Sequence, residues 1–325
     1  MSHAYSLERL HDLEPTVTEF RAAVLQGLGS TPKTLPCRFF YDAEGSRLFD
    51  RICELPEYYP TRTECALLAA RAAEIAALVG PHAGLIEFGS GAGVKIRLLL
   101  AALRYPAAYV PVDISRGHLL AAAASLAADY PDLRIAPVCA DYTHRFALPH
   151  LPGSRPRRLV GFFPGSTIGN FTPSEAAGFL RHAGRLLGRG SMMIVGVDLL
   201  KDRAVLEAAY DDAAGVTAAF NLNLLARINR ELGGDFDLGA FAHQARWNAV
   251  ESRVEMHLVS RVAQSVRIGG DRVEFAPDET IHTENSYKYT LDGFADLARS
   301  AGYDSVAAWT DPADLFSIHV LKMPA

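Results

Sequence analysis

Disulfide and metal frameworks are what this sequence most plainly lacks. Its 325 residues include four cysteines, Cys37, Cys53, Cys65 and Cys139, each among apolar neighbours and none in a Cys-x-x-Cys pair. That usage predicts buried free thiols instead of a disulfide scaffold or a zinc site. Eleven histidines form no His-Glu-x-x-His or comparable spacing, so no metal is expected. Charge of one sign is also scarce. A net charge of -5 with pI near 6.1 provides no basic field, and no Lys/Arg cluster interleaved with aromatics supplies one locally, which excludes nucleic acid as the expected partner. No run reaches the roughly 18 apolar residues needed to span a bilayer. The stretch Met1 to Arg9 carries His, Glu and Arg where a targeting segment has an apolar core. A cytoplasmic protein with no membrane association and no obligate protein partner is the expectation. What is present is a chain 49% hydrophobic and 21% charged, long enough for two domains or one large one.

Periodicity divides the chain. Val17, Phe20, Val24, Leu25 and Leu28 recur at helical spacing before the stop Gly29-Ser-Thr-Pro32. An aromatic-rich stretch follows, with Cys37-Arg-Phe-Phe-Tyr-Asp42 and Pro56-Glu-Tyr-Tyr-Pro60 flanking a short helix over 46–55. Thr61 or Thr63 then caps a long helix ending near Gly80. From there strands over 84–89, 108–114, 133–139, 158–163 and 192–198 interleave with helices over 95–103, 116–128 and 173–187, the rhythm of a parallel sheet covered on both faces. After Asp198 the rhythm breaks. Residues 202–232 read as one or two helices and 253–284 as strands, with a hairpin at Gly269-Gly-Asp271. A helix over 291–301 and strands over 305–309 and 316–322 resume the sheet as an antiparallel addition. The expected domains are 63–198 with 288–325, and a discontinuous second domain of 5–62 with 199–287.

The most informative segment is Leu85-Ile-Glu-Phe-Gly-Ser-Gly-Ala-Gly-Val-Lys95, an apolar strand feeding a turn with glycines at 89, 91 and 93 and then a helix. Bare glycines let the backbone bend tightly and approach a ligand closely. About twenty residues on, a second apolar strand ends in Asp113, where a carboxylate can grip two ribose hydroxyls. The spacing is Gly-x-Gly-x-Gly and lacks the third glycine of the dinucleotide fingerprint, which favours S-adenosylmethionine over NAD. Such turns also serve as plain strand-to-helix connections.

Further candidates lie at the ends of later strands. Asp141-Tyr142 follows the third strand, where a carboxylate can accept from an adenine amino group and the ring can stack, or where a helix cap stands beside a surface tyrosine. Phe162-Phe-Pro-Gly-Ser-Thr-Ile-Gly-Asn-Phe171 follows the fourth. Asn170 there offers donors and an acceptor suited to an amino acid's amine and carboxylate, or else serves as a turn or cap before Thr172-Pro173. If Thr280 to Tyr289 is extended, alternation puts His282, Glu284 and Ser286 on one face and Thr283, Asn285 and Tyr287 on the other. Glu284 and Ser286 can then act together on one polar ligand, or form a solvated strand face. Tyr210-Asp-Asp212 is ordinary helix surface unless its face closes over a ligand.

Taken together, Phe39-Phe-Tyr-Asp42 with Gly45-Ser46, Leu55-Pro-Glu-Tyr-Tyr-Pro-Thr-Arg-Thr-Glu64, Glu87-Phe-Gly-Ser-Gly91 with Lys95-Ile-Arg97, Pro164-Gly-Ser-Thr-Ile-Gly-Asn-Phe171, Asn221-Leu-Asn223 with Arg227-Ile-Asn-Arg-Glu-Leu232, and Ile281-His-Thr-Glu284 resemble the bacterial L-histidine Nα-methyltransferases of ergothioneine biosynthesis, over nearly the whole chain. Those enzymes convert histidine to hercynine with S-adenosylmethionine. The resemblance implies an α/β fold, a Rossmann-like methyltransferase sheet with a second, discontinuous α+β amino-acid-binding domain. It implies a cofactor site of Gly89, Gly91, Lys95, Asp113, Asp141 and Tyr142. It assigns Asn170 and Tyr210 to the histidine's amine and carboxylate, and Tyr58, Glu284 and Ser286 to its imidazole. Tyr41 is implied beside the reacting amine, making it with Asn170 the catalytic pair, and Met256 as a wall of the side-chain pocket. The chain departs from the family at Ala92-Gly-Val94, where many members carry Ser or Thr followed by Ser. Alternatives are a methyltransferase for another amino acid such as tryptophan, which should lack the Glu284/Ser286 pair, and a non-catalytic S-adenosylmethionine-binding module, which need not keep Asn170 and Tyr210. An NAD enzyme would need a third glycine and a hydride partner.

Overall fold

The computed structural model describes residues 7–14, 16–150 and 156–325. Its strands are β1 (His11–Leu13), β2 (Lys33–Thr34), β3 (Ala83–Phe88), β4 (Ala108–Asp113), β5 (Val138–Ala140), β6 (Arg158–Phe163), β7 (Met192–Asp198), β8 (Phe241–Asn248), β9 (Arg253–Ser260), β10 (Gln264–Ile268), β11 (Asp271–Phe275), β12 (Thr280–Tyr287), β13 (Asp304–Thr310) and β14 (Phe316–Lys322). Its helices are α1 (Val17–Leu28), α2 (Ala43–Glu54), α3 (Tyr59–Val79), α4 (Val94–Ala102), α5 (Arg116–Asp129), α6 (Pro173–Leu187), α7 (Arg203–Tyr210), α8 (Val216–Leu232) and α9 (Leu291–Ser300). Among the described residues, no helix is long and apolar enough to cross a membrane.

The chain divides into two compact units, one of residues 7–14, Pro60–Leu200 and Lys288–Ala325, the other of residues 16–59 and Lys201–Tyr287. The first is an α/β unit on an eight-stranded sheet of order β1-β5-β4-β3-β6-β7-β14-β13. Six strands run parallel, and β14 and β13 add antiparallel at one edge. Strands β3 and β7 are buried along their whole length, which is why they read as continuous apolar runs. The core gathers Leu85, Ile96, Leu100, Val160, Phe162 and Ile194. The chain leaves β3 toward β4 and β5 and returns on its other side to β6. The carboxyl ends of β3 and β6 therefore flank a topological switch point, where open α/β sheets bind ligands.

Residue 5, the expected start of the second domain, lies outside the described residues. Residues 7–14 belong with the sheet: β1 pairs parallel to β5 at its edge, where the strand's backbone groups need partners. Three exposed residues, His11 to Leu13, carry no hydrophobic signal from which that pairing can be read.

The second unit holds a four-stranded sheet, β2-β12-β9-β8, with α8 against β8 and β9, and a separate β10-β11 hairpin turning at Gly269. Residues 202–232 form two helices, broken where Asp212 accepts from the N–H groups of Val216 and Thr217 and Gly215 takes φ 70°. Strand β8, absent from the sequence reading, places Phe241, His243, Ala245 and Trp247 on one face, too mixed a set to signal a strand.

One buried carboxyl in the large sheet gives a prediction. Glu87 on β3 is about 1% exposed, and burial pushes its pKa from 4.5 up to about 8, against the bond it accepts from the Tyr109 hydroxyl. The folded protein thus keeps a proton that the unfolded chain releases, so stability is fully present below about pH 4.5 and falls as pH rises through about 8. Relative to Glu87→Gln, the wild type is expected to lose up to about 1.4 kcal/mol per pH unit across that window. Urea midpoints measured against pH test this, and parallel curves for the two proteins would contradict it.

Candidate functional site

Each unit brings together one set of the expected residues. In the sheet unit the turn after β3 has Gly89, Gly91 and Gly93 at φ of 76°, 49° and 72°, the left-handed region that favours glycine, so the backbone is bare where a ligand can approach. Asp113, at the end of β4, spans that turn and the next. Its Oδ2 accepts from Gly91 N at 3.2 Å and its Oδ1 from Ser115 N at 2.9 Å. Burial raises its pKa, and these N–H bonds oppose the rise. Each oxygen retains acceptor capacity for a ligand hydroxyl.

Tyr142 borders the same turn. A methyl group on Gly89 would lie 3.7 Å from its ring, which also packs on Phe88, Phe163 and Phe179 at centroid distances of 6.2, 5.7 and 5.9 Å. Asp141 forms a local turn: Oδ1 accepts from Thr143 N at 2.9 Å and Thr143 Oγ1 at 2.6 Å, and Oδ2 lies 3.0 Å from His144 Nδ1.

Lys95 opens α4 with its ammonium 2.6 Å from Glu64 Oε2, and Gly165 N donates to that oxygen at 2.8 Å. Glu64, fully buried on α3, thus fastens the glycine-turn helix to the turn after β6. It is a site residue that sequence reasoning did not single out, although it closes the Pro-Thr-Arg-Thr-Glu run. The turn it holds contains Ser166 at φ 55°, unusual for a side-chain-bearing residue, and Ser166 Oγ accepts from Asp198 N at 2.9 Å. Asn170, half-buried, ends the short helical turn that follows. Capping of α6 is done instead by Thr172, in a reciprocal pair with Glu175, which removes the cap as Asn170's role.

In the second unit Tyr41, Tyr58, Tyr210, Met256, Glu284 and Ser286 come together. Tyr210 Oη lies 2.6 Å from Ser286 Oγ, and the Tyr58 and Tyr210 rings meet edge to face at 6.3 Å. Phe49 connects Tyr58, at 6.2 Å, to Tyr41, at 5.7 Å. Burial, with Tyr210, Cys53, Tyr41 and Glu284 nearby, raises the Tyr58 pKa well above its ordinary value, so its hydroxyl remains a neutral donor. Tyr41 is placed by its neighbour Asp42, which caps α2 at Gly45 N and accepts from Asn223 Nδ2 of α8 at 2.8 Å.

Strand β12 does not follow the expected alternation. His282 pairs with His257 of β9, but Glu284 pairs with Met256, so a bulge at Thr283 intervenes. Glu284 and Ser286 share a face with Met256 and Val254. His282 turns to the opposite face and stacks on His257 at 4.8 Å, with Asn285 and Tyr287 on its side. At the bulge Thr283 Oγ1 donates to the Met256 carbonyl at 3.1 Å.

Two groups among the described residues have ligand-type atoms close together, Glu255/His257/His282 and Asp12/Glu14/Cys139. In the first, His257 Nε2 lies 3.0 Å from Glu255 Oε2, His282 Nε2 lies 3.0 Å from the Glu284 carbonyl, and Glu255 also accepts from Asn248 and Arg253, so these atoms are engaged within the protein.

Known proteins resemble this chain over most of its length. A family model described as histidine-specific methyltransferase, SAM-dependent, matches residues 20–323. The chain is 47% identical to a histidine N-alpha-methyltransferase of Mycolicibacterium smegmatis over 92% of its own length and 93% of the relative's. It is 43% identical to that of Mycobacterium tuberculosis, again over 92% and 93%. A 4-dimethylallyltryptophan N-methyltransferase of Aspergillus fumigatus is 30% identical, over 89% of each chain. The chain belongs to the histidine-specific, S-adenosylmethionine-dependent methyltransferase family.

Proposed function

We propose that this protein transfers methyl groups from S-adenosylmethionine to the α-amine of L-histidine until hercynine is formed, the first step of ergothioneine biosynthesis. The observation that carries the reading is the polar group on one face of β12, where Glu284, Ser286 and the Tyr210 hydroxyl lie beside the neutral Tyr58 hydroxyl. An imidazole has one N–H donor and one acceptor nitrogen, which such a set can satisfy, Glu284 taking the donor and a hydroxyl serving the acceptor. An indole or phenyl side chain would leave part of the set unpaired.

The sheet unit fits the cofactor. Three left-handed glycines bare the turn, Asp113 has lone pairs for ribose hydroxyls, and Tyr142 supplies a ring beside Gly89. Asp141 is assigned to the adenine and Lys95, through its ion pair with Glu64, to the cofactor end of the turn. When bound, S-adenosylmethionine supplies an electrophilic methyl group on a sulfonium. The chain's own residues then have to orient a neutral amine and exclude water, and no covalent intermediate on the protein is needed. Asn170 is assigned to the amine and carboxylate. Tyr41 is assigned to the vicinity of the amine, where its ring face also suits the cationic product. We place the enzyme in the cytoplasm, acting on small molecules without an obligate protein partner.

Incubation with S-adenosylmethionine and a panel of amino acids, read by mass spectrometry, is expected to give successive methylation of L-histidine ahead of every other amino acid. Tryptophan methylated in preference to histidine would overturn the substrate assignment. Asp113→Ala removes the acceptor for two ribose hydroxyls, bonds worth about 1.5–3 kcal/mol each, and should weaken S-adenosylmethionine by about tenfold or more in calorimetry. Unchanged affinity in the folded variant would return Asp113 to a purely structural role.

A further inference from the structure

Behind the residues assigned to the amino acid lies a buried relay to whose residues neither the family match nor the sequence reading gives a role. Helix α7 ends at Tyr210, whose carbonyl is among those that a helix C-terminus leaves without an intrahelical partner. His243 of β8 meets it, with Nε2 2.8 Å from Tyr210 O. A carbonyl only accepts, so Nε2 carries a proton. Nδ1 of the same ring lies 2.9 Å from Asn221 Nδ2, and that amide nitrogen also donates to the His257 carbonyl at 3.1 Å. An amide oxygen in that place would face the His257 carbonyl oxygen at 3.1 Å, so the amide stands with its nitrogen inward, and Nδ1 of His243 must accept. His243 is thereby a neutral imidazole with its proton on Nε2. The His243 side chain is about 1% exposed and Asn221 fully buried, and burial lowers the His243 pKa, in keeping with a neutral ring. Asp211, the nearest carboxylate, is half exposed and 4.0 Å from Nε2, outside hydrogen-bond range.

The two ends of the relay matter. One holds Tyr210, whose hydroxyl bonds Ser286. The other holds the carbonyl of His257, the residue paired with His282 at the edge of the bulge that turns Glu284. We infer that Asn221 and His243 are positioning residues for substrate recognition, a two-ended brace that sets Tyr210 and the Glu284 bulge together and so fixes the geometry in which the imidazole is read. The inference rests on the histidine assignment above. Neither residue touches substrate. Either could be replaced by an apolar side chain as far as packing alone requires, but the carbonyls of Tyr210 and His257 would then be left without these donors.

The test compares His243→Leu with His243→Gln, whose terminal amide can restore the donor to Tyr210 O. His243→Leu should raise the KM for L-histidine by about tenfold while leaving S-adenosylmethionine affinity unchanged, and His243→Gln should recover most of the loss. A folded His243→Leu with wild-type KM, or equal behaviour of the two variants, overturns the proposal. Nitrogen-15 NMR of histidine-labelled wild type, assigned by the signal lost in His243→Gln, gives a second readout that does not need the leucine variant to fold. The spectrum should show a protonated Nε2 and an unprotonated Nδ1, and the reverse tautomer or a doubly protonated ring at neutral pH contradicts the relay. If the wild type does not methylate histidine but shows this tautomer, the substrate assignment has failed and the brace stands as geometry only.

Discussion

A single extra residue in β12 decides which face of the second sheet carries Glu284 and Ser286. Thr283 has no register partner on β9, and its insertion reverses the alternation between His282 and Glu284. Were Thr283 paired in register with Met256 instead of bulged, Glu284 would share the face of Glu255 and His257, where Arg253 and Asn248 already surround a carboxylate. With the bulge, Glu284 joins Ser286, Met256 and the ring of Tyr210. Beside the bulge, Thr283 Oγ1 donates to the Met256 carbonyl and Asn221 Nδ2 to the His257 carbonyl. The face that carries Glu284 is therefore accompanied by side-chain hydrogen bonds to the carbonyls of β9.

Carboxylates have the corresponding part in the large sheet. Parallel strands bring their following turns to one edge, but the topology does not hold those turns at fixed spacings. Asp113 joins the turns after β3 and β4 through Gly91 and Ser115, and Glu64 joins the start of α4 to the turn after β6 through Lys95 and Gly165. Both groups are shielded from water, where hydrogen bonds to charge are strong and an unpaired partner is costly. The strained Ser166 survives because Glu64 and Asp198 hold its turn from two sides.

How much of this was legible in the sequence depended on how local its cause was. The buried strands β3, β4, β6 and β7 announced themselves as apolar runs, and the glycines at 89, 91 and 93 do take the left-handed conformation that their spacing suggests. Tyr58, Tyr210, Met256, Glu284 and Ser286 were named from resemblance, and they do lie in one unit. What escaped depended on distant partners. His282 was expected beside Glu284 because alternation cannot foresee a bulge sustained by Thr283 and Asn221. Lys95 was read for its place after the glycines, and its ion pair with Glu64 is invisible without the fold. Strand β1 is three exposed residues whose pairing is set by the open edge of β5. Strand β8 hides behind His243 and Ala245, one of which is polar because it braces Tyr210.

The central claim is that the Glu284 carboxylate, turned by the bulge, selects histidine by its imidazole N–H. It is tested most directly by supplying L-histidine and L-tryptophan together to the wild type and to Glu284→Ala and quantifying both methylated products. Loss of a hydrogen bond to a charged group, about 1.5–3 kcal/mol, predicts that the histidine-to-tryptophan product ratio falls by about 10- to 150-fold in the variant. An unaltered ratio would contradict the account.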